Sequence, residues 1–150
     1  GNLITIILIG LASATAIMVI GLPTIYEDLK LTLWSLPYTI YALIAGSIFF
    51  GSFTIILSTK IKSSEGYNVI SNGLFLFFAF VSTAFYPAQG LPGPLSVAFY
   101  INPLTYIVDI SRAGIFSQID SFTNIQVLVI TILAAAVFII ATRSMVRMRI

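Results

Sequence analysis

Long apolar runs alternate with short polar segments along the whole chain. Four runs, at residues 3–25, 36–58, 68–86 and 122–142, are long and almost free of charged residues. A helix rises about 1.5 Å per residue, so a run of about 20 residues crosses a hydrocarbon core roughly 30 Å thick. The pattern therefore predicts an all-α membrane protein with four transmembrane helices.

The stretch between the third and fourth runs is different in character. It holds four of the chain's six prolines, and it places Asp109 and Arg112 among apolar neighbours. Asn102 is a favourable N-cap and Pro103 a favourable first residue, so a helix is predicted from Pro103 to about Phe116, with another short helix before it. The predicted helix is about 21 Å long, which is too short to span a bilayer.

Lysine and arginine are distributed unevenly between the polar segments. Lys60 and Lys62 follow the second run, and three arginines follow the fourth: Arg143, Arg147 and Arg149. The positive-inside rule predicts that both segments are cytoplasmic. The chain between them must therefore cross the membrane an even number of times. The third and fourth runs already supply two crossings. A charged residue at the bilayer centre costs about 2.5–3.5 kcal/mol. Residues 91–117 are therefore predicted to form a re-entrant helical hairpin on the outer side of the cell inner or plasma membrane, and the C-terminus is predicted to be cytoplasmic.

The polar side chains of this hairpin fall on one helical stripe. Thr105, Asp109 and Arg112 are spaced i, i+4 and i+7, and the two charged residues are close enough to pair. Two interpretations stay open: an ion pair that fixes the hairpin, or a group that contacts substrate or gates a path. The predicted lock or gate comprises Asn102, Pro103, Thr105, Asp109 and Arg112.

Small residues mark the second run. Gly46, Ser47 and Gly51 belong to small-xxx-small patterns, which allow close approach of another helix. Helix packing is the favoured interpretation, and the smooth wall of a transport path is the alternative.

The composition narrows the possible chemistry. The chain is 59% hydrophobic and 8% charged, whereas soluble domains are about 25% charged. It contains no cysteine and no histidine, which excludes disulfides, thiol chemistry and histidine catalysis and disfavours zinc. We therefore expect no catalytic residue, no bound metal and no cofactor in this chain, and no binding to nucleic acid.

Several short motifs follow one another in the proline-rich stretch. F-x-P begins at Phe85, L-P at Leu91, N-P-L-T-Y at Asn102 and D-x-x-R at Asp109. Their order, between two apolar runs, resembles the motif pattern of the permease subunits of ABC-2 type ATP-binding-cassette exporters. The resemblance is densest over residues 67–113.

The resemblance implies a six-span permease subunit, of which the four runs here would be the third to the sixth. The chain is then expected to be part of a longer protein. Expected partners are a second permease copy, membrane lipid and a separate ATPase subunit that binds ATP, because this chain has no G-x-x-x-x-G-K-[ST] sequence. Lys60, Lys62 and Glu65 are the predicted contact with the ATPase.

Two other classes of membrane protein compete with an exporter permease. An intramembrane protease needs an aspartate pair, a Ser/His dyad or a metal on facing spans, whereas Asp109 and Asp120 lie in the outer stretch, so an enzyme is not expected. A non-ABC membrane scaffold or a secondary-transporter fragment remains the alternative. Co-purification of an ATPase would distinguish it from the exporter permease.

Overall fold

The structure, a computed structural model, describes residues 32–86 and 93–147 together with the isolated positions Thr5, Leu8 and Ala12. Within this part of the chain the regular secondary structure is entirely helical, as predicted. The described helices are α1 (Leu36–Lys60), α2 (Ser64–Phe80), α3 (Gly93–Ile101), α4 (Pro103–Phe116) and α5 (Ser121–Arg147). The first predicted span, 3–25, lies outside the described residues except for the three isolated positions, which are helical and exposed.

Local capping sets the ends of the helices. The Ser63 side chain accepts a hydrogen bond from the Gly66 amide at the start of α2, and Glu65 lies in the first turn, where the helix dipole favours an acidic residue. Lys60 lies in the last turn of α1, where the dipole favours a basic one. The three-residue connection from α1 to α2 is therefore specified by its own sequence.

The break between α3 and α4 lies at Asn102. Its Oδ1 accepts a hydrogen bond from the Leu104 amide at 2.9 Å, and Pro103 occupies the first turn of α4. The helix ends at Phe116, followed by Ser117 in the left-handed conformation with φ of 52°. These are the bounds that the sequence predicts for this helix.

Two of the described helices, α1 and α5, are long and apolar enough to cross a membrane. The third apolar run becomes a helix of 17 residues that begins at Ser64 rather than residue 68 and ends at Phe80 rather than residue 86. Ser82 and Thr83 follow it in a buried turn. The early end has a physical cause, because the Ala84 amide donates to Ser82 Oγ instead of to a helical carbonyl and the Thr83 hydroxyl donates to Asp109 on α4.

The core lies between α1, α4 and α5. Alanine and isoleucine side chains and one phenylalanine fill it: Ala42, Ala45, Phe49, Ile107, Ile110, Ile130 and Ala134. Tyrosine hydroxyls connect the two long helices beside this core. Tyr38 donates to Asn124 Oδ1 at 3.0 Å, and Tyr41 donates to the Val127 carbonyl at 3.1 Å.

The shorter helix α2 lies at the periphery of the described fold. Of the residues in α2, Ser71 is the one that is buried, and contact with α1 runs through the rings of Phe50, Phe75 and Phe78. Large apolar side chains on α2 and α5, such as Leu76 and Ile132, are exposed. Such extensive apolar surface is typical of helices that face lipid or other membrane helices.

Candidate functional site

The close contact between α4 and α1 depends on glycine. A Cβ atom on Gly114 would lie 2.9 Å from the Thr39 amide nitrogen and 3.1 Å from the Ser35 carbonyl oxygen, and it would also clash with the Thr39 hydroxyl. Near the middle of α1, a Cβ on Gly46 would lie 3.2 Å from Ile107. The end of α4 is therefore fixed against the start of α1 with no room for a side chain.

The first polar connection joins the start of α4 to the end of α2. The Asn102 amide nitrogen donates to the carbonyl oxygens of Phe78 and Val81, at 2.7 and 2.6 Å. Carbonyls in the last turn of a helix have no partner within that helix. One side chain therefore caps the start of α4 and satisfies two carbonyls at the end of α2.

Asp109 is the centre of the second polar connection. Its Oδ1 accepts a hydrogen bond from the Thr83 hydroxyl at 2.6 Å, and its Oδ2 accepts one from the Gln126 amide nitrogen at 3.0 Å. Thr83 follows α2, Asp109 belongs to α4 and Gln126 belongs to α5. A single carboxylate thus holds three segments that are distant in sequence, and its hydrogen bonds are charge-assisted.

Arg112 completes this group, which we call the Asp109 cluster: Thr83, Asp109, Arg112 and Gln126. Its Nη1 lies 3.7 Å from Asp109 Oδ1, as the i, i+3 spacing predicts, and its Nη2 donates to the Thr83 carbonyl at 2.9 Å. The side chains of Arg112 and Asp109 are 45% and 24% exposed. An ion pair this exposed adds at most about 1 kcal/mol, so the hydrogen bonds carry most of the connection.

A cavity of about 390 Å³ opens beside the Asp109 cluster. Apart from Ala113, its lining consists of charged, amide, hydroxyl and aromatic side chains: Thr83, Tyr100, Asp109, Arg112, Gln118, Asp120, Phe122, Thr123 and Gln126. At its rim, hydrogen bonds from the Thr123 hydroxyl and amide lower the pKa of Asp120 below its ordinary value. Asp120 therefore stays ionised at neutral pH.

The residues predicted as a lock or gate are brought together at one end of α2. Asn102, Asp109 and Arg112 all contact the segment that ends this helix. Thr105 is fully buried, and its hydroxyl has no hydrogen-bond partner among the described residues. Pro103 is buried in the first turn of α4.

Thr83 and Gln126 complete the cluster, and sequence reasoning missed both. Each carried a faint signal, because Thr83 follows a serine at the end of an apolar run and Gln126 is an amide within the first turns of another. Neither signal specifies Asp109 as the partner. Their contacts with Asp109 span 26 and 17 residues of sequence.

The other predicted site residues lie elsewhere. Lys60, Lys62 and Glu65 are exposed at the opposite end of α2 from the Asp109 cluster. Gly46 and Gly51 are buried, and together with Ser47 they line a cavity of about 480 Å³ between α1, α2 and α4. Across residues 32–86 and 93–147, no group of acidic side chains is suited to holding a metal ion.

Residues 1–116 of the chain match the ABC-2 type transporter family. The matched region covers α1 to α4, including Asn102, Asp109 and Arg112, and ends before α5. The comparisons with curated proteins and with solved structures found no match.

Proposed function

Since the chain belongs to the ABC-2 type transporter family, we propose that it forms the membrane-spanning permease part of an ATP-driven exporter. The observation that carries the proposal is the family match over residues 1–116, more than half of the chain. The transport path would lie between this subunit and a second permease copy. ATP would be bound and hydrolysed by a separate ATPase subunit.

The proposed topology places the four apolar runs as the third to sixth spans of the full subunit, in the cell inner or plasma membrane. Both ends of this segment would be cytoplasmic, which follows from Lys60 and Lys62 around the end of α1 and from the C-terminal arginines Arg143, Arg147 and Arg149. The pair α3–α4 would form a re-entrant hairpin on the outer side. The 14 residues of α4 support this, since about 21 Å of helix does not cross a bilayer.

The Asp109 cluster would act as the lock of this hairpin. It joins the segment after α2 and the start of α5 to a single carboxylate on α4. Any movement that separates α2 from α5 at this end must break one of the two hydrogen bonds. The lock would thereby couple the outer hairpin to the relative position of two membrane helices.

The segment with Lys60, Lys62 and Glu65 would contact the ATPase. Its charged side chains are exposed on the side that the arginine and lysine distribution makes cytoplasmic. Displacement of this segment would move the start of α2. Because Asn102 holds the other end of α2, that movement would reach the hairpin.

The test is transport into inverted membrane vesicles by the full permease assembled with its ATPase. We expect ATP-dependent uptake of at least one compound from a panel that spans drugs, lipid-linked sugars, peptides and polysaccharides. Asp109→Ala should lower that uptake about tenfold, since it removes two charge-assisted hydrogen bonds. Gly73→Ala, at an exposed position with open space around it, is the matched control and should transport normally.

Two results would refute the proposal. One is an assembled complex that hydrolyses ATP but takes up no compound of the panel. The other, directed at the lock, is full transport by Asp109→Ala.

A further inference from the structure

The cavity beside the Asp109 cluster has the properties of a ligand site in its own right. It measures about 390 Å³, which falls within the range of pockets that hold small molecules. Five segments contribute to it: the turn after α2, α3, α4, the loop before α5, and α5 itself. A ligand here would contact both helices of the hairpin and the segments on either side of it.

The charge of the lining favours a cation. Among the described residues, the charged side chains are Asp109, Asp120 and Arg112, which give a net charge of −1. Arg112 lies against Asp109, so the unmatched charge is that of Asp120. The Oδ1 of Asp120 accepts two hydrogen bonds from Thr123, and the side chain is exposed at the rim of the cavity.

A buried amide provides the second, independent observation. Gln126 is 3% exposed and lines the cavity. A carboxylate only accepts hydrogen bonds, so the Gln126 amide nitrogen must face Asp109, and its Oε1 is left as an acceptor. That oxygen accepts no hydrogen bond from the described residues, but it stays accessible to solvent on a side chain that lines the cavity. A ligand with N–H donors would satisfy it.

The remaining walls are aromatic. Tyr100 and Phe122 line the cavity, and about half of each side chain is exposed. An aromatic ring attracts a cation over its face and offers apolar surface to the body of a ligand. The lining is thus suited to a molecule with a charged nitrogen at one end and an apolar body.

We infer that this cavity binds a small organic cation, a primary amine with an aromatic or other apolar body, through Asp120, Gln126 and the two rings. The amine can bind to this cavity whether or not the protein transports it. Its role as the place where an exported compound is released rests on the proposed function.

The experiment measures equilibrium binding to the full-length permease in lipid nanodiscs without ATP. The probe is radiolabelled tryptamine, an aromatic primary amine. Its neutral analogue tryptophol and its anionic analogue indole-3-propionate serve as unlabelled competitors. We expect saturable tryptamine binding, and weak or no competition by the other two compounds.

Two variants assign the binding to this cavity. Asp120→Asn removes the unmatched charge but keeps a side chain that caps α5, and it should weaken tryptamine binding about tenfold. Arg112→Gln makes the cavity more negative and should strengthen binding, a result that a folding defect would not produce. Glu65→Gln makes the same charge change as Asp120→Asn at the opposite end of α2 and should leave binding unchanged.

Three outcomes would overturn the inference. They are the absence of saturable tryptamine binding, equal competition by all three indoles, and unchanged binding in Asp120→Asn. The result is separable from the transport test, because binding is measured without ATP or the ATPase. Binding without transport would contradict the exporter, and transport without binding would contradict this site.

Discussion

The two faces of α4 hold the hairpin by different physical means. The face towards α1 is dry, with Ile107, Ile110 and Gly114 buried against small residues. The face towards α2 and α5 is polar, with the carboxylate of Asp109 bonded to Thr83 and Gln126. Close packing governs the first face, and hydrogen bonds join Ser117, just past the end of α4, to Ser35 and Thr32. Directional hydrogen bonds govern the second face.

The difference shows how a short helix can be fixed among longer ones. Steric fit on the dry face sets the distance between α4 and α1, but small apolar surfaces tolerate sliding. Hydrogen bonds on the polar face require one register, because each donor must meet one oxygen. We therefore expect changes on the dry face to affect stability most and changes on the polar face to affect the coupling between segments.

The largest effect is expected at Gly114. Gly114→Ala places a methyl group against the backbone of Thr39 and Ser35, which should lower the free energy of unfolding by about 3 kcal/mol. Gly73→Ala makes the same substitution in open space on α2 and should raise stability by about 0.5–1 kcal/mol. Thermal unfolding in detergent compares the two, and equal behaviour would show that the contact between α4 and α1 is not tight.

The next effect is expected at Asn102, which caps the start of α4 and holds the end of α2. Asn102→Ala removes the cap and both bonds to the α2 carbonyls and should cost about 2 kcal/mol. Asn102→Ser keeps a capping oxygen but not the bonds to α2, so about half of that loss should return. If both variants unfold at the same temperature, the cap contributes nothing measurable.

A smaller effect is expected from the coupling across the polar face. In a double-mutant cycle, Asp109→Ala and Gln126→Leu should show a coupling energy of about 1 kcal/mol, because each removes the partner of the other. The control cycle pairs Asp109→Ala with Glu65→Gln, at opposite ends of α2, and should be additive within about 0.5 kcal/mol. Additivity in both cycles would mean that the hydrogen bond does not couple α4 to α5.

The smallest effect is expected at Asp120, at the rim of the cavity beside the polar face. The folded pKa of Asp120 lies below its ordinary value of 3.8, first because of the hydrogen bond from the Thr123 side chain. The resulting stability is present above about pH 4 and is lost as the pH falls through the lowered pKa. Unfolding measured from pH 6 down to pH 2.5 should therefore show a steeper loss in the wild type than in Asp120→Asn, and parallel curves would contradict this.

Features set by neighbouring residues could be predicted from the sequence. The start of α4 follows from Asn102 before it and Pro103 as its first residue, and helical spacing alone places Asp109 and Arg112 on one side of the helix. The partners Thr83 and Gln126 could not be predicted, because hydrophobic periodicity does not encode which polar groups meet across 17 or 26 residues. The early end of α2 was missed for the same reason, since the hydrogen bond from Thr83 to Asp109 accompanies it.

The hairpin topology is tested most directly by labelling single cysteines in intact cells, a method made simple by the absence of cysteine from the chain. Gly93→Cys marks the start of α3, Gln118→Cys marks the segment after α4, and Lys62→Cys marks the connection between α1 and α2. A membrane-impermeant maleimide should label the first two from outside and should label Lys62→Cys only after permeabilisation. Labelling of the cysteines at 93 and 118 from opposite sides would show that the segment crosses the membrane and would contradict a re-entrant hairpin.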